Sequence, residues 1–126
     1  EILTEIQMPA PAGGVTGTYK KYRERAAIDF PVVGVAVALQ MDQPTGTCRD
    51  LKIVITGAGS RPVEASLAAQ KLLGQELRSE LIAEAATTAA KEIHPVKTDQ
   101  VTPHFKRQIT SLLVEETIKE LGGIDR

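Results

Sequence analysis

The stretch that decides the fold is Tyr19-Lys-Lys-Tyr-Arg-Glu-Arg-Ala-Ala-Ile-Asp-Phe-Pro-Val-Val-Gly-Val-Ala-Val-Ala-Leu-Gln-Met41. A cationic, tyrosine-bearing segment turns at Asp29-Phe30-Pro31 into the longest apolar run of the chain. Val32 to Leu39 is Val/Ala-rich without polar interruption, the composition of a strand buried on both faces, and this places it in the middle of a sheet. The segment before it, Tyr19 to Arg25, reads as extended structure with Tyr19, Lys21, Arg23 and Arg25 on one face. A short turn over residues 26–31 follows, because Asp29 does not favour a strand and Phe30, preceding proline, is pushed out of the α region.

Working outward, Asp42-Gln43-Pro44-Thr45-Gly46 is a turn-former cluster, and beyond it Leu51, Ile53 and Ile55 alternate with Lys52, Val54 and Thr56. The two runs predict an antiparallel hairpin, Val32 to Met41 with Leu51 to Thr56. From Val63 the period changes to that of a helix, with Ala65, Ala68, Ala69 and Leu72 on one face and Gly74 as the stop. A second helix is expected over Ser79 to Ile93, lining up Ile82, Ala85, Ala86, Ala89 and Ile93 before Pro95. A third opens at Thr102-Pro103, an N-cap followed by proline at the first helical position, and runs to Leu121. That helix is apolar on two sides: Phe105, Ile109, Leu112 and Leu113 form one stripe, and Val114, Ile118 and Leu121 another. One stripe serves the core; the second is either an end-of-helix contact or a face for a partner.

At the other end, Ile2, Thr4, Ile6 and Met8 alternate with Leu3, Glu5 and Gln7, a half-buried strand by period, before Pro9-Ala10-Pro11 and Gly13-Gly14 interrupt it. The expected division is therefore residues 1–14 as an incoming strand and linker from something upstream, and 15–126 as an α+β domain, a small antiparallel β-sheet packed against three helices.

The 126 residues suffice for one domain that buries roughly two thirds of its unfolded surface. Aromatics are only 3% with no Trp, so little is available for stacking bases, and a net charge of −1 argues against a whole-domain electrostatic footprint for nucleic acid or anionic membrane. No run reaches transmembrane length. Cys48 is alone, which excludes an internal disulfide and leans towards a reducing, cytoplasmic setting. It stands in the predicted hairpin loop with no His near in sequence. His94 and His104 fall on different helices without ligand-spaced partners, and no serine sits in an elbow motif. Neither a metal site nor a nucleophilic catalytic centre is expected.

One motif invites a nucleotide-binding reading. Leu51 to Thr56 runs into Gly57-Ala-Gly59-Ser-Arg-Pro62, a strand, Gly-x-Gly and then a helix. The dinucleotide fingerprint needs a third glycine where Pro62 stands, and a second parallel strand with an acidic end. A glycine bulge at a strand end explains the segment better.

The order of these segments resembles a known family. Ile2-Leu-Thr-Glu-Ile-Gln-Met-Pro9 is followed by Tyr19-x-Lys21-x-x-x-Arg25, by Ala27-Ile-Asp29-Phe-Pro31 leading into Val32-Val-Gly-Val-Ala-Val-Ala38, by Arg61-Pro-Val63 before an Ala-rich helix ending Leu72-Leu-Gly74, and by Phe105-Lys-Arg107. The series is similar to the C-terminal domain of the flavin-binding (medium) subunit of molybdenum hydroxylases, the relatives of carbon monoxide dehydrogenase, xanthine dehydrogenase and aldehyde oxidase. The resemblance implies a domain that helps to wall the FAD site of an oxidoreductase, with electrons reaching FAD from [2Fe-2S] clusters and leaving to an external acceptor. It also implies an upstream FAD-binding domain, and partner subunits that carry the iron-sulphur clusters and the molybdenum cofactor. By alignment Lys21 inherits the flavin-side role, with Arg25 and Asp29 as charged neighbours on the same loop; the isolated chain is expected neither to bind FAD nor to catalyse a reaction. The rival readings are a stand-alone interaction module using the basic segment and the last helix, and a Rossmann-type oxidoreductase using Gly57 and Gly59.

Overall fold

The computed structural model describes residues 1–27, 30–97 and 101–124. Strands β1 (Val15–Tyr22), β2 (Val33–Asp42), β3 (Thr47–Thr56) and β4 (Val63–Glu64) form one sheet in sequence order, every neighbour antiparallel. Helices α1 (Ser66–Leu72), α2 (Ser79–Glu92) and α3 (Pro103–Gly122) all lie on one side of it. α3 packs on β2 and β1, α1 packs on β3, and α2 fits against both helices. This is the expected α+β architecture.

The hairpin forms in the predicted register, with Val35 opposite Ile55 and Val37 opposite Ile53. It is longer than its apolar residues suggested: β3 already begins at Thr47, and a register irregularity at Gln40/Met41 lets the turn close with the Gly46 N–H donating to the Asp42 carbonyl. β2 is interior, as its composition implied, but its two faces differ. Val33, Val35, Val37 and Leu39 are buried under the helices, whereas Ala36, Ala38 and Gln40 on the other face are only half-buried. The expectation of burial on both faces is thus corrected. Small residues, not a second layer, make the run read as uniformly apolar.

Two boundaries also differ. Val63 and Glu64 do not open a helix; they form the short edge strand β4, after which Ala65 N–H bonds to the Ile53 carbonyl and α1 starts at Ser66. Pro62 marks the edge, as proline does where no ladder donor is needed. Residues 1–12 are not in a strand; Ile2, Leu3, Ile6 and Met8 are 79–89% exposed. Their period-two pattern finds no partner strand among the described residues, so extended hydrogen bonding has nothing to pair with there.

α3 draws its core side from both stripes. Val114 and Ile118 are fully buried and belong to the core, while Leu112 is 58% exposed. The core-facing positions are Lys106, Thr110, Leu113, Val114, Thr117 and Ile118, a 3–4 spacing that two threonines and a lysine conceal from any apolar count. Both threonines are satisfied within the helix, Thr110 Oγ1 donating to Lys106 O at 2.8 Å and Thr117 Oγ1 to Leu113 O at 2.6 Å. Lys106 Nζ donates to Val96 O at 3.3 Å and ties the α2–α3 connection to the helix. The helix start is as read, Thr102 Oγ1 accepting from Phe105 N–H at 3.2 Å, and Gly123 closes α3 in the left-handed conformation.

Candidate functional site: the open face of the sheet

With all the helices on one side, strand alternation sorts the residues of β1 into two sets. Thr16, Thr18, Lys20 and Tyr22 face the helices. Lys20 Nζ lies 2.6 Å from Glu120 and 3.7 Å from Glu116 of α3, and the Tyr22 ring meets Phe105 edge-on at 5.7 Å between centroids. Val15, Gly17, Tyr19 and Lys21 face the other way. Of two adjacent lysines, then, one is engaged with α3 and the other is presented on the open face.

That face is a shallow, small-residue surface with a few polar side chains. The register places Lys21, Gly34 and Thr56 in one cross-strand row, and Tyr19, Ala36 and Val54 in the next. Tyr19 is half exposed and leans along the sheet over Gly34, the diagonal position that an aromatic side chain can reach. A Cβ at Gly34 would collide with the Tyr19 hydroxyl, and would lie 2.8 Å from the ring's Cζ and 2.6 Å from Thr56 Oγ1. Lys21 is exposed, and among the described residues it has no ion-pair partner.

Arg25 lies three residues past the end of β1, exposed in the bend of the β1–β2 connection, so the strand alternation that would have aligned it with Lys21 stops at Tyr22. Asp29 lies outside the described residues. Tyr19, named in sequence only as part of the Tyr-x-Lys motif, is the open face's aromatic. The signal that marks it is Gly34, a glycine inside a Val/Ala strand, where it costs stability unless another group needs the space.

The Gly57 to Ser60 segment is not a phosphate cradle. β2 and β3 are antiparallel, not the parallel pair that a nucleotide-binding unit requires. Gly57 has φ 75°, and its Cβ position faces the carbonyl oxygens of Val32 and Pro31 at 3.0 and 3.1 Å, groups that repel an anion. Two amides in the first turn of the following helix are already taken, since the Glu92 carboxylate accepts from Leu67 N–H at 3.2 Å and Ala68 N–H at 2.8 Å. The Rossmann reading is overturned by these contacts.

Cys48 is in β3, not in a loop. It is fully buried, and burial, reinforced by Asp50, pushes its thiol up to about 11. Such a thiol is no nucleophile at neutral pH. Among the described residues no group of three or more His, Cys, Asp or Glu could hold a metal ion, and no helix is long and apolar enough to cross a membrane.

The fold and this face define a class: an α+β domain whose described helices cover its sheet on one side and leave the other open, with an aromatic ring and a cation on it. The chain belongs to the CO dehydrogenase flavoprotein C-terminal domain family, whose sequence profile matches residues 17–121. It is 25% identical over 122 residues to the glyceraldehyde dehydrogenase medium chain of Sulfolobus acidocaldarius, an alignment covering 97% of this chain and 42% of that protein. Solved structures with the same fold include carbon monoxide dehydrogenase from Hydrogenophaga pseudoflava, with a TM-score of 0.80, 23% identity, and coverage of 88% of this chain and 38% of the other. Reconstituted CO dehydrogenase from Oligotropha carboxidovorans matches with a TM-score of 0.82 and 19% identity over 94% of this chain and 40% of the other. The chain thus spans about two fifths of the length of the proteins it matches.

Proposed function

We propose that this domain forms one wall of the FAD site in the flavin subunit of a molybdenum-containing hydroxylase or dehydrogenase, where FAD passes electrons from iron-sulphur clusters to an external acceptor. The observation that carries the proposal is the pairing of Tyr19 and Lys21 on a sheet face that no helix covers, within a chain that belongs to a flavoprotein family. The residues fit a wall and not a whole site. A planar ring system suits a surface of Gly17, Ala36 and Ala38 beside a half-exposed tyrosine, and Lys21 supplies a cation at its rim; a pyrophosphate finds no cradle here. FAD when bound supplies the redox chemistry. Lys21 contributes only charge, favouring the anionic reduced form by Coulomb attraction that strengthens as the cleft excludes water. Arg25 and Asp29, on the connection that follows β1, are proposed to add charge at the same rim.

In this reading residues 1–14 are the strand and linker arriving from an upstream FAD-binding domain, and 15–126 the domain proper. Four exposed apolar residues in a period-two segment, set off by Pro9, Pro11 and Gly14, support that division. The iron-sulphur clusters and molybdenum cofactor would sit on partner subunits in the cytoplasm.

The test is Lys21→Ala in the complete flavin subunit. Loss of the cation is expected to lower the flavin's midpoint potential; an unchanged potential together with unchanged acceptor kinetics would return Lys21 to the solvent.

A further inference from the structure

Gly34 interrupts the apolar run of β2 at an interior strand of the sheet, where glycine has the highest conformational cost and contributes no packing. Its φ is not in the left-handed region, so the backbone does not require it. What requires it is space. The position its Cβ would take is filled from two sides, by the Tyr19 phenol from β1 and by Thr56 Oγ1 from β3. Thr56 is held there by donating to the Gly34 carbonyl at 3.4 Å, and it therefore forms the far wall of a slot whose floor is the glycine.

Lys21 is directly opposite Gly34 in the ladder. With the phenol lying on Gly34, the space over β2 directly across from the exposed Lys21 is occupied. We propose that Gly34 is a positioning residue: it seats the Tyr19 ring flat on the sheet, and the seated ring keeps Lys21 extended toward the flavin. This rests on the flavin-side reading of Lys21 given above, and it adds the residue that sets where the cation stands.

The experiment has two arms. In the 126-residue chain, which has two tyrosines and no tryptophan, Tyr22→Phe leaves Tyr19 as the sole fluorophore. Adding Gly34→Ala is expected to unseat the ring and raise its quenching by acrylamide, by up to about twofold because the ring is already half exposed; unchanged quenching would overturn the proposal. Should Gly34→Ala fail to fold, the triple variant Tyr19→Ala/Thr56→Ala/Gly34→Ala is expected to fold, because both groups that occupy the Cβ position are gone, whereas Thr56→Ala/Gly34→Ala, which keeps the ring, is expected to fail. A triple variant that also fails would overturn the proposal, since the glycine would then serve something other than the ring.

In the complete flavin subunit, Gly34→Ala is expected to shift the midpoint potential in the same direction as Lys21→Ala, and to add nothing in the Lys21→Ala background. A potential that responds to Lys21→Ala but not to Gly34→Ala would overturn the positioning role and leave the flavin-side reading standing. A potential that responds to neither would overturn both.

Discussion

Glu92, at the last position of α2, caps the first turn of α1: its Oε1 is 2.8 Å from Ala68 N and its Oε2 is 3.2 Å from Leu67 N. Ala65, the residue at the helix start, has no side chain to do this. The contact joins two helices distant in sequence, complements the helix dipole, and fills the place where an incoming anion would have been held. Glu92→Ala should therefore lower the domain's stability by about 1 kcal/mol, the usual value of a lost cap, while Glu92→Gln, which keeps an acceptor, should cost less. Urea unfolding at neutral pH reads both. Equal loss in the two variants would mean that packing, not hydrogen bonding, carries the effect.

Ile118 is fully buried between α3 and the sheet, whereas Leu112 on the outer face of the same helix is 58% exposed. Ile118→Glu would put an unpaired carboxylate into an apolar core and is expected to abolish folding of the chain. Leu112→Glu should change stability by no more than about 0.5 kcal/mol. Circular dichroism melting of the two variants decides it; a folded Ile118→Glu domain would contradict the packing of α3 described above.

These two helices also mark what the sequence could and could not disclose. The hairpin, the end signals of α3 and the small-residue face of α2 follow from local chemistry: turn formers at Asp42 to Gly46, Thr102-Pro103 at a helix start, and alanines at i, i+3, i+4. The core side of α3 did not follow, because Lys106, Thr110 and Thr117 occupy inward positions and satisfy themselves by hydrogen bonds that only the folded backbone provides. The two lysines of the Tyr19 to Tyr22 segment were likewise ambiguous until a helix covered one face. Position 21 could be singled out by motif, but the seat of Tyr19 on Gly34 depends on a diagonal contact across strands, which no one-dimensional pattern specifies.

Cys48 gives a pH-dependent test. Its thiol is neutral in the fold up to about 11, against an ordinary value of 9.0. Between these values the unfolded chain loses the proton and the folded chain keeps it, so this group lowers stability as pH rises from 9 toward 11 and has no effect below. Cys48→Ala should flatten that part of the stability profile, measured as urea midpoint against pH. At pH 8 the native thiol should also react with iodoacetamide about 100-fold more slowly than the unfolded one, by its smaller thiolate fraction alone. Native reactivity equal to that of the unfolded chain would show that Cys48 is neither buried nor shifted.

The chain alone should fold and yet retain no FAD. Folding follows from the shared core of β2, β3 and the three helices, which is continuous from Val33 to Ile118. The absence of tight binding follows from what this surface leaves undone. A dinucleotide gains most of its hold from backbone amides around the pyrophosphate and from an enclosing apolar slot for the rings. Here two first-turn amides of α1 are taken by Glu92, the Gly57 turn faces two carbonyl oxygens, and the open face would meet a ring system from one side only. An exposed ammonium such as Lys21 contributes about 1 kcal/mol or less, while micromolar affinity requires roughly 8 kcal/mol. Mixing the purified chain with FAD, desalting it and reading the visible absorbance is therefore expected to give colourless protein. Stoichiometric yellow protein would place the flavin's main binding determinants in these 126 residues, and would require a second wall that the open face of the sheet does not supply.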